Sequence, residues 1–508
     1  QILSMITSNP ASMMGVGDRV GALKPSADAD FVVLSGKPFE PGSRVLATYI
    51  EGRSVFESDI DSKSTVIEAA SVYTPHGIVP GGVAIRNGKI SGIGRSVSSS
   101  RNTAIKRYPD GVVVPGLLDC ATNVGLGGNL TETLPLNAKL GDLLARDNDQ
   151  VRLARQGGIT TGLISSSRLP SPVLAFKLTD APRVIQDPVA VRFNVGGNLT
   201  TTEESTRRLL RTGKAYADAW TKYDAEFAAY EIKWKEYDAA KKQFDAAKAA
   251  EAKAAEAKAA EAKKSPEAKT EPENKPDESK PDANKPAETK PSDSKTAETN
   301  PNEAKQPEPT KSTLVEPKKP DEPKKPPMTE SLEPYRALFA KEIVAMVEAN
   351  ETKAIELTLK LFRTEFDLTT AIVSGKAAAE AAELLAKNGV LVVTGPLLIG
   401  EEDGQILNFP AEIAAAGAPV AFQSQTTTGT SKLPDVVAYA VYKGLGFEDA
   451  LRGMSLGPAK FLKLTTVGSI ELGKDADLVV WSGPPFELSS EVLAVMIDGN
   501  WVYEKESK

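Results

Sequence analysis

The chain states one sequence twice, once near each end. Residues 21–57 match residues 468–504 at a constant offset, with about half of the positions identical. "DADFVVLSGKPFE" near the start returns as "DADLVVWSGPPFE", and "VLATYIEGRSVFE" returns as "VLAVMIDGNWVYE". Solenoids repeat units of some tens of residues one after another. Two copies separated by nearly the whole chain predict instead one domain type that closes twice. Residues 1–57 read as the C-terminal tail of a preceding unit, a helix followed by strands, and a complete second unit follows them.

Composition narrows the classes. At 508 residues and 41% hydrophobic, the chain can build a large core even with a long polar insert set aside. The net charge of -7 comes from interspersed signs, with no basic stripe of the kind that nucleic acid requires. No apolar run reaches the length of a membrane-spanning helix, and the opening residues carry no signal-peptide pattern. The compartment, cytoplasmic or periplasmic, stays open. A single cysteine, Cys120, excludes an internal disulfide framework and a cysteine-based zinc cluster. The most telling count is a single histidine, His76.

Along the complete unit, 64–110 and 464–508 alternate apolar and polar residues around Pro-His-Gly and Asn-Gly turns, a pattern of short antiparallel strands. These two pieces are expected to form one small β-sandwich. Between them, 111–463 alternates β-branched runs with helical stretches. The candidate strands are 112–118, 158–164, 173–178, 189–195, 343–349, 370–374, 390–394 and 420–424. Eight strands with helical crossovers predict an α/β fold, a (β/α)8 TIM-like barrel.

A helical insert, 201–264, interrupts the barrel. Tyr216, Trp220, Tyr223, Phe227, Tyr230, Trp234, Tyr237 and Phe244 step by fours and threes, which predicts a coiled-coil-like seam packed on another helix or on the barrel. The following Lys/Pro/Glu-rich stretch, 265–327, holds too little apolar surface to order itself and is expected to be a disordered, protease-sensitive linker.

Several motifs resemble the amidohydrolase superfamily. "GVVVPGLLD" is similar to that family's Pro-Gly-apolar-apolar-Asp entry to the first barrel strand, preceded by the hairpin "GGVAIRNGKISGIG". "GSIELGKDADLVVW" is similar to its closing strand, and "GLGFEDALRGMSLGPAKFL" to the helix pair before it. The resemblance covers 66–504 apart from the insert, together with the leading fragment. It implies a barrel whose strand ends hold one or two metals, usually zinc, that activate water to break carbon–nitrogen bonds other than peptide bonds.

Carried over residue by residue, the metal positions hold the wrong side chains. The first two ligands fall on Ala121 and Asn123, the fifth-strand pair on Glu348 and Asn350, the sixth-strand ligand on Ser374, and the eighth-strand aspartate on Gln425. His76 precedes the barrel and reads as an exposed turn, so no shift of register supplies an imidazole. We therefore expect neither catalytic nor metal-binding residues here and no cofactor. An oxygen-only Mg²⁺ or Ca²⁺ site from Asp119, Asn123, Glu348, Asn350 and Gln425 is the weaker alternative. Lys177 lies a strand early for a metal-bridging lysine and reads as ion-paired or exposed. Cys120 reads as a small packing residue turned outward, and the Gly-Gly turns at Gly125 and Val195 as turns rather than phosphate loops.

Three functions remain open. The unit is a non-catalytic scaffold or regulatory partner of an upstream amidohydrolase-like unit of the same polypeptide. Alternatively, it completes an active hydrolase whose catalysis lies upstream. In the third reading its emptied pocket binds a small polar molecule. A homo-oligomer is open as well.

Overall fold

The computed structural model describes residues 2–34, 38–39, 45–57, 64–95, 97, 103–126, 128, 130–145, 149–262, 315–426 and 429–505. Two units separate by their contacts: Gln1–Ala219 with Pro327–Lys508, and Trp220–Pro326.

The first unit contains the barrel. Its strands follow one another around the sheet in chain order: Leu117–Asp119, Ile159–Ser165, Ser171–Lys177, Arg183–Asn194, Val344–Glu348, Thr370–Val373, Leu391–Thr394 and Val420–Phe422. Each lies in or overlaps one of the segments expected from sequence. The first and last are joined beyond their ends, where Cys120 N donates to Phe422 O at 2.9 Å and Gln425 N to Ala121 O at 2.7 Å. One set of alternating side chains from every strand fills the interior, including Leu118, Leu163, Val173, Ala190, Met346, Ala371, Val393 and Ala421. The other set, with the surrounding helices, forms the outer core.

Two details depart from the expected barrel. Ser171–Lys177 runs antiparallel to both neighbours. Its flanking connections, 166–170 and 178–182, are too short for the dozen or so residues that a parallel crossover needs, so both are hairpins. The expected strand 112–118 is also divided. Its first part ends the long strand Ala104–Pro115 of a second sheet, and the barrel begins at Leu117. Gly116 is the pivot, where a Cβ would come within 2.2 Å of the Thr160 side chain.

That second sheet draws on both ends of the unit, as the small sandwich requires. Its order is Asn500–Glu504, Val492–Ile497, Leu478–Trp481, Ala104–Pro115, Ser64–Thr74, Gly82–Arg86, Lys89–Gly94, with Gly77–Pro80 paired to Ser64–Thr74. Contrary to the expectation of short antiparallel strands throughout, its two longest strands, Ser64–Thr74 and Ala104–Pro115, pair in parallel. A core of Ile67, Val83, Ile85, Val113, Ile470, Leu478, Val480 and Met496 holds it together.

The leading copy forms a three-stranded sheet of its own: Phe31–Leu34, Val45–Ile50 and Arg53–Glu57. The duplication also reaches further back than the sequence match. Thr7 Oγ1 donates to Leu3 O at 2.7 Å as Ser455 Oγ donates to Leu451 O at 2.5 Å. Gly21 lies against Ala11 as Gly468 lies against Ala459. One extra residue between Ala11 and Gly21 hides this from a constant offset.

The helix Leu199–Ala262 carries the aromatic series into the second unit. There the seam meets no second helix among the described residues. The returning Pro-rich segment covers it, with Lys325 Nζ 5.7 Å from the Trp220 ring, Lys319 Nζ 5.2 Å from the Trp234 ring, and Lys241 paired with Glu316. The lengths agree. From Trp220 to Lys241 the helix rises roughly 30 Å at 1.5 Å per residue, and residues 316–325 span about 28 Å if extended as polyproline. Prolines keep this segment out of a helix, and its lysines lie on aromatic faces. The end of the expected linker is thus ordered by contact, while 265–314 lies outside the described residues.

Candidate active site

The C-terminal ends of the barrel strands surround a cavity of about 550 Å³. Ala121 and Asn123 follow the first strand, Glu348 and Asn350 end the fifth, Ser374 follows the sixth, and Gln425 follows the eighth. All six line this cavity, together with Thr131, Ser165, Ser166 and Ser167. Gln425 is held at φ 58°, in the left-handed region that a non-glycine residue seldom adopts.

The residue that dominates the cavity was not singled out from sequence. Arg192 occupies the inward parity of the fourth strand, two residues beyond core Ala190, and is only 6% exposed. Its Nη2 lies 2.6 Å from Glu348 Oε1 and donates to Gln423 Oε1 at 3.3 Å, while Gln423 Nε2 donates to Gly395 O at 3.1 Å. Asn194 Nδ2 donates to Glu348 Oε2 at 3.4 Å. The Arg192 Nε and the Ser374 hydroxyl are buried without a partner. A readable signal existed: "VAVRFN" places a lone arginine near the end of an otherwise apolar barrel strand.

The other sequence candidates are dispersed. Asp119 is fully buried and turned away from the cavity, accepting from Ser424 N at 2.9 Å and Ala121 N at 3.1 Å. Burial pushes its pKa up to about 6 against the pull of those hydrogen bonds. It ties the first barrel strand to the last, so the oxygen-only set is not assembled. Cys120 belongs to the barrel interior rather than facing outward, because the inward parity of its strand runs through Leu118 and Cys120. Burial pushes its thiol far up, out of nucleophile range. His76 is exposed in the turn between Ser64–Thr74 and Gly77–Pro80. The turn after Val195 leads into the long helix, with Asn198 Oδ1 capping Thr201 N at 3.2 Å. The turn at Gly125 lies partly outside the described residues.

Lys177 lies at the far end of the barrel, because its strand is reversed and it pairs in register with Thr161. Its buried ammonium is 2.7 Å from Asp475, 2.7 Å from Asp477 and 2.6 Å from Asp498. Burial alone would lower its pKa, but the three carboxylates outweigh that and raise it.

A catalytic metal of the kind this architecture implies needs converging imidazoles and carboxylates. Among the described residues lining the mouth there is one carboxylate, Glu348, and it is engaged by a guanidinium. No group of three His, Cys, Asp or Glu side chains that suits a metal occurs among the described residues. This donor set does not fit zinc or iron.

Amidohydrolase-family models match residues 1–56 and 346–502, so each copy of the closing segment is matched. An amidohydrolase from Thermotoga maritima is 20% identical and superposes with a TM-score of 0.55, covering 87% of this chain and 100% of its own. A β-aspartyl dipeptidase from Fervidobacterium islandicum is 13% identical with a TM-score of 0.44, covering 87% and 97%. No curated protein matches. The amidohydrolase-family likeness is thus carried in sequence by these two stretches, and in fold by the barrel and its sheet.

Proposed function

We propose that this barrel performs no metal-assisted hydrolysis and binds a small, neutral, hydrogen-bonding molecule at its mouth. The observation that carries this reading is Arg192, a buried guanidinium among the positions where the family resemblance puts metal ligands. A divalent ion placed there would meet a cation whose countercharge, Glu348, is already committed. That ion pair leaves no net charge to attract an anion. It leaves instead a free Arg192 Nε and a free Ser374 hydroxyl, each worth about 1–3 kcal/mol when buried unpaired. Serine, threonine, asparagine and glutamine make up most of the remaining wall, which suits a polyol, a sugar or an amide.

The test is thermal unfolding of the full chain with millimolar polyols, sugars, amides and amino acids, beside elemental analysis of protein purified without chelator. One neutral polar class is expected to raise the Tm, by about 2.7 kcal/mol of added stability at a hundredfold excess over Kd. Arg192→Met combined with Ser374→Ala is expected to abolish that shift. One zinc per chain surviving dialysis would sink the proposal.

A further inference from the structure

The internal duplication provides a direct control for the leading sheet, because the chain shows what covers the same sequence elsewhere. In the closing copy, Leu478–Trp481 pairs antiparallel with Ala104–Pro115, Leu478 opposite Pro115 and Trp481 opposite Val112. Those four residues are buried, and Ile470 before them is fully buried. In the leading copy the counterpart strand Phe31–Leu34 is an edge strand among the described residues. Val32 is 52% exposed, and Leu23, the counterpart of Ile470, is 81% exposed. An open edge beside exposed apolar side chains is a template for another strand.

The charges make the match more specific. Asp475, Asp477 and Asp498 surround Lys177. Their counterparts are Asp28, Asp30 and Glu51. The local scaffold is the same in both copies, since Asp30 Oδ1 accepts from Glu51 N at 2.7 Å and the Asp477 carboxylate accepts from Asp498 N at 2.9 Å. The leading sheet therefore repeats the three acidic positions beside an open strand edge, with Asp28 already paired with Arg19 at 2.7 Å.

We propose that the leading sheet docks a second amidohydrolase-like body. That body lays an antiparallel apolar strand along Phe31–Leu34 and brings a lysine to Asp30 and Glu51, beside the Arg19–Asp28 pair. The chain's own Ala104–Pro115 is not the occupant, because Leu478–Trp481 and Ser64–Thr74 already take its two sides. Two leading sheets are poor partners for each other, since each brings the same carboxylates.

In the full chain, residues 468–504 are replaced by the sequence of residues 21–57. The leading sequence then occupies both positions in one molecule. The expected result is cooperative unfolding, with the shared peptide covering Phe31–Leu34 splitting into two hydrogen-exchange populations, one slower by at least about a hundredfold. Adding Lys177→Met is expected to erase the slow population. A second variant, Leu478→Phe with Trp481→Leu, transplants the strand alone and is expected to keep slow exchange. A single fast population, or a full replacement that fails to fold whether or not the strand variant folds, overturns the proposal. So does slow exchange at Phe31–Leu34 in the unmodified chain as a monomer, because that edge would already be covered.

Discussion

The two ends of the barrel handle buried charge in opposite ways. At the far end, Lys177 is saturated by three aspartates, and Arg183 and Lys89 add to the same cluster. At the mouth, Arg192 has one carboxylate and one amide and keeps an unpartnered Nε. A saturated cluster fixes structure, and an unsaturated one costs stability until something fills it. The far end thus ties the barrel to its sheet, and the mouth is where an unmet buried donor remains.

The largest effect is expected from Lys177→Met. It strands Asp477, which is nearly buried, while Asp475 keeps Lys89 and Arg183, and a broken buried pair costs about 3–5 kcal/mol. Denaturant unfolding of the full chain measures this, and a loss below about 1 kcal/mol would break the comparison.

Acid sharpens it next. Burial works to raise the Asp475 pKa, but Lys177 and Lys89 prevail and hold it at about 2. Its stabilisation is present above the ordinary carboxylate range and is lost as the pH falls from about 4 toward 2. Asp119, at about 6, has the opposite sign. Its contribution is full below about pH 4 and is lost as the pH rises through 6. Unfolding midpoints between pH 4 and 7 are expected to fall less steeply in Asp119→Asn than in the parent.

The smallest effect belongs to the mouth. Arg192→Met removes a desolvated cation that is only partly compensated, and its partner Glu348 keeps solvent access. Stability is expected to stay within about 1 kcal/mol of the parent by the same unfolding measurement.

Much of this architecture was legible in the sequence because β-branched runs mark strands whatever their partners. Strand direction was not, since periodicity is the same in both senses. Only the short connections 166–170 and 178–182 carry it, and they place Lys177 at the floor rather than the mouth. The Asp475-Ala476-Asp477 motif was visible as part of the repeat, but its lysine lies some 300 residues away, beyond any local pattern. At the mouth, the family resemblance directs attention to Ala121, Asn123, Glu348, Asn350, Ser374 and Gln425, and Arg192 stands on a strand where it names no ligand. The aromatic series was expected to pack on another helix or on the barrel, as a coiled-coil-like seam. A stripe does not specify its cover, and the proline-rich return supplied one.

The shared sheet also sets a timetable. Ala104–Pro115 takes Leu478–Trp481 as a neighbour, yet the ribosome makes the second strand about 360 residues after the first, which is roughly 20–70 s at ordinary elongation rates. Throughout that interval the edge waits open while the leading copy of the same closing sequence has already been made. Which copy reaches it first is then a race between a nearby early strand and a late one with a better fit, so the order of synthesis, and not only the final energy, bears on whether this barrel closes correctly.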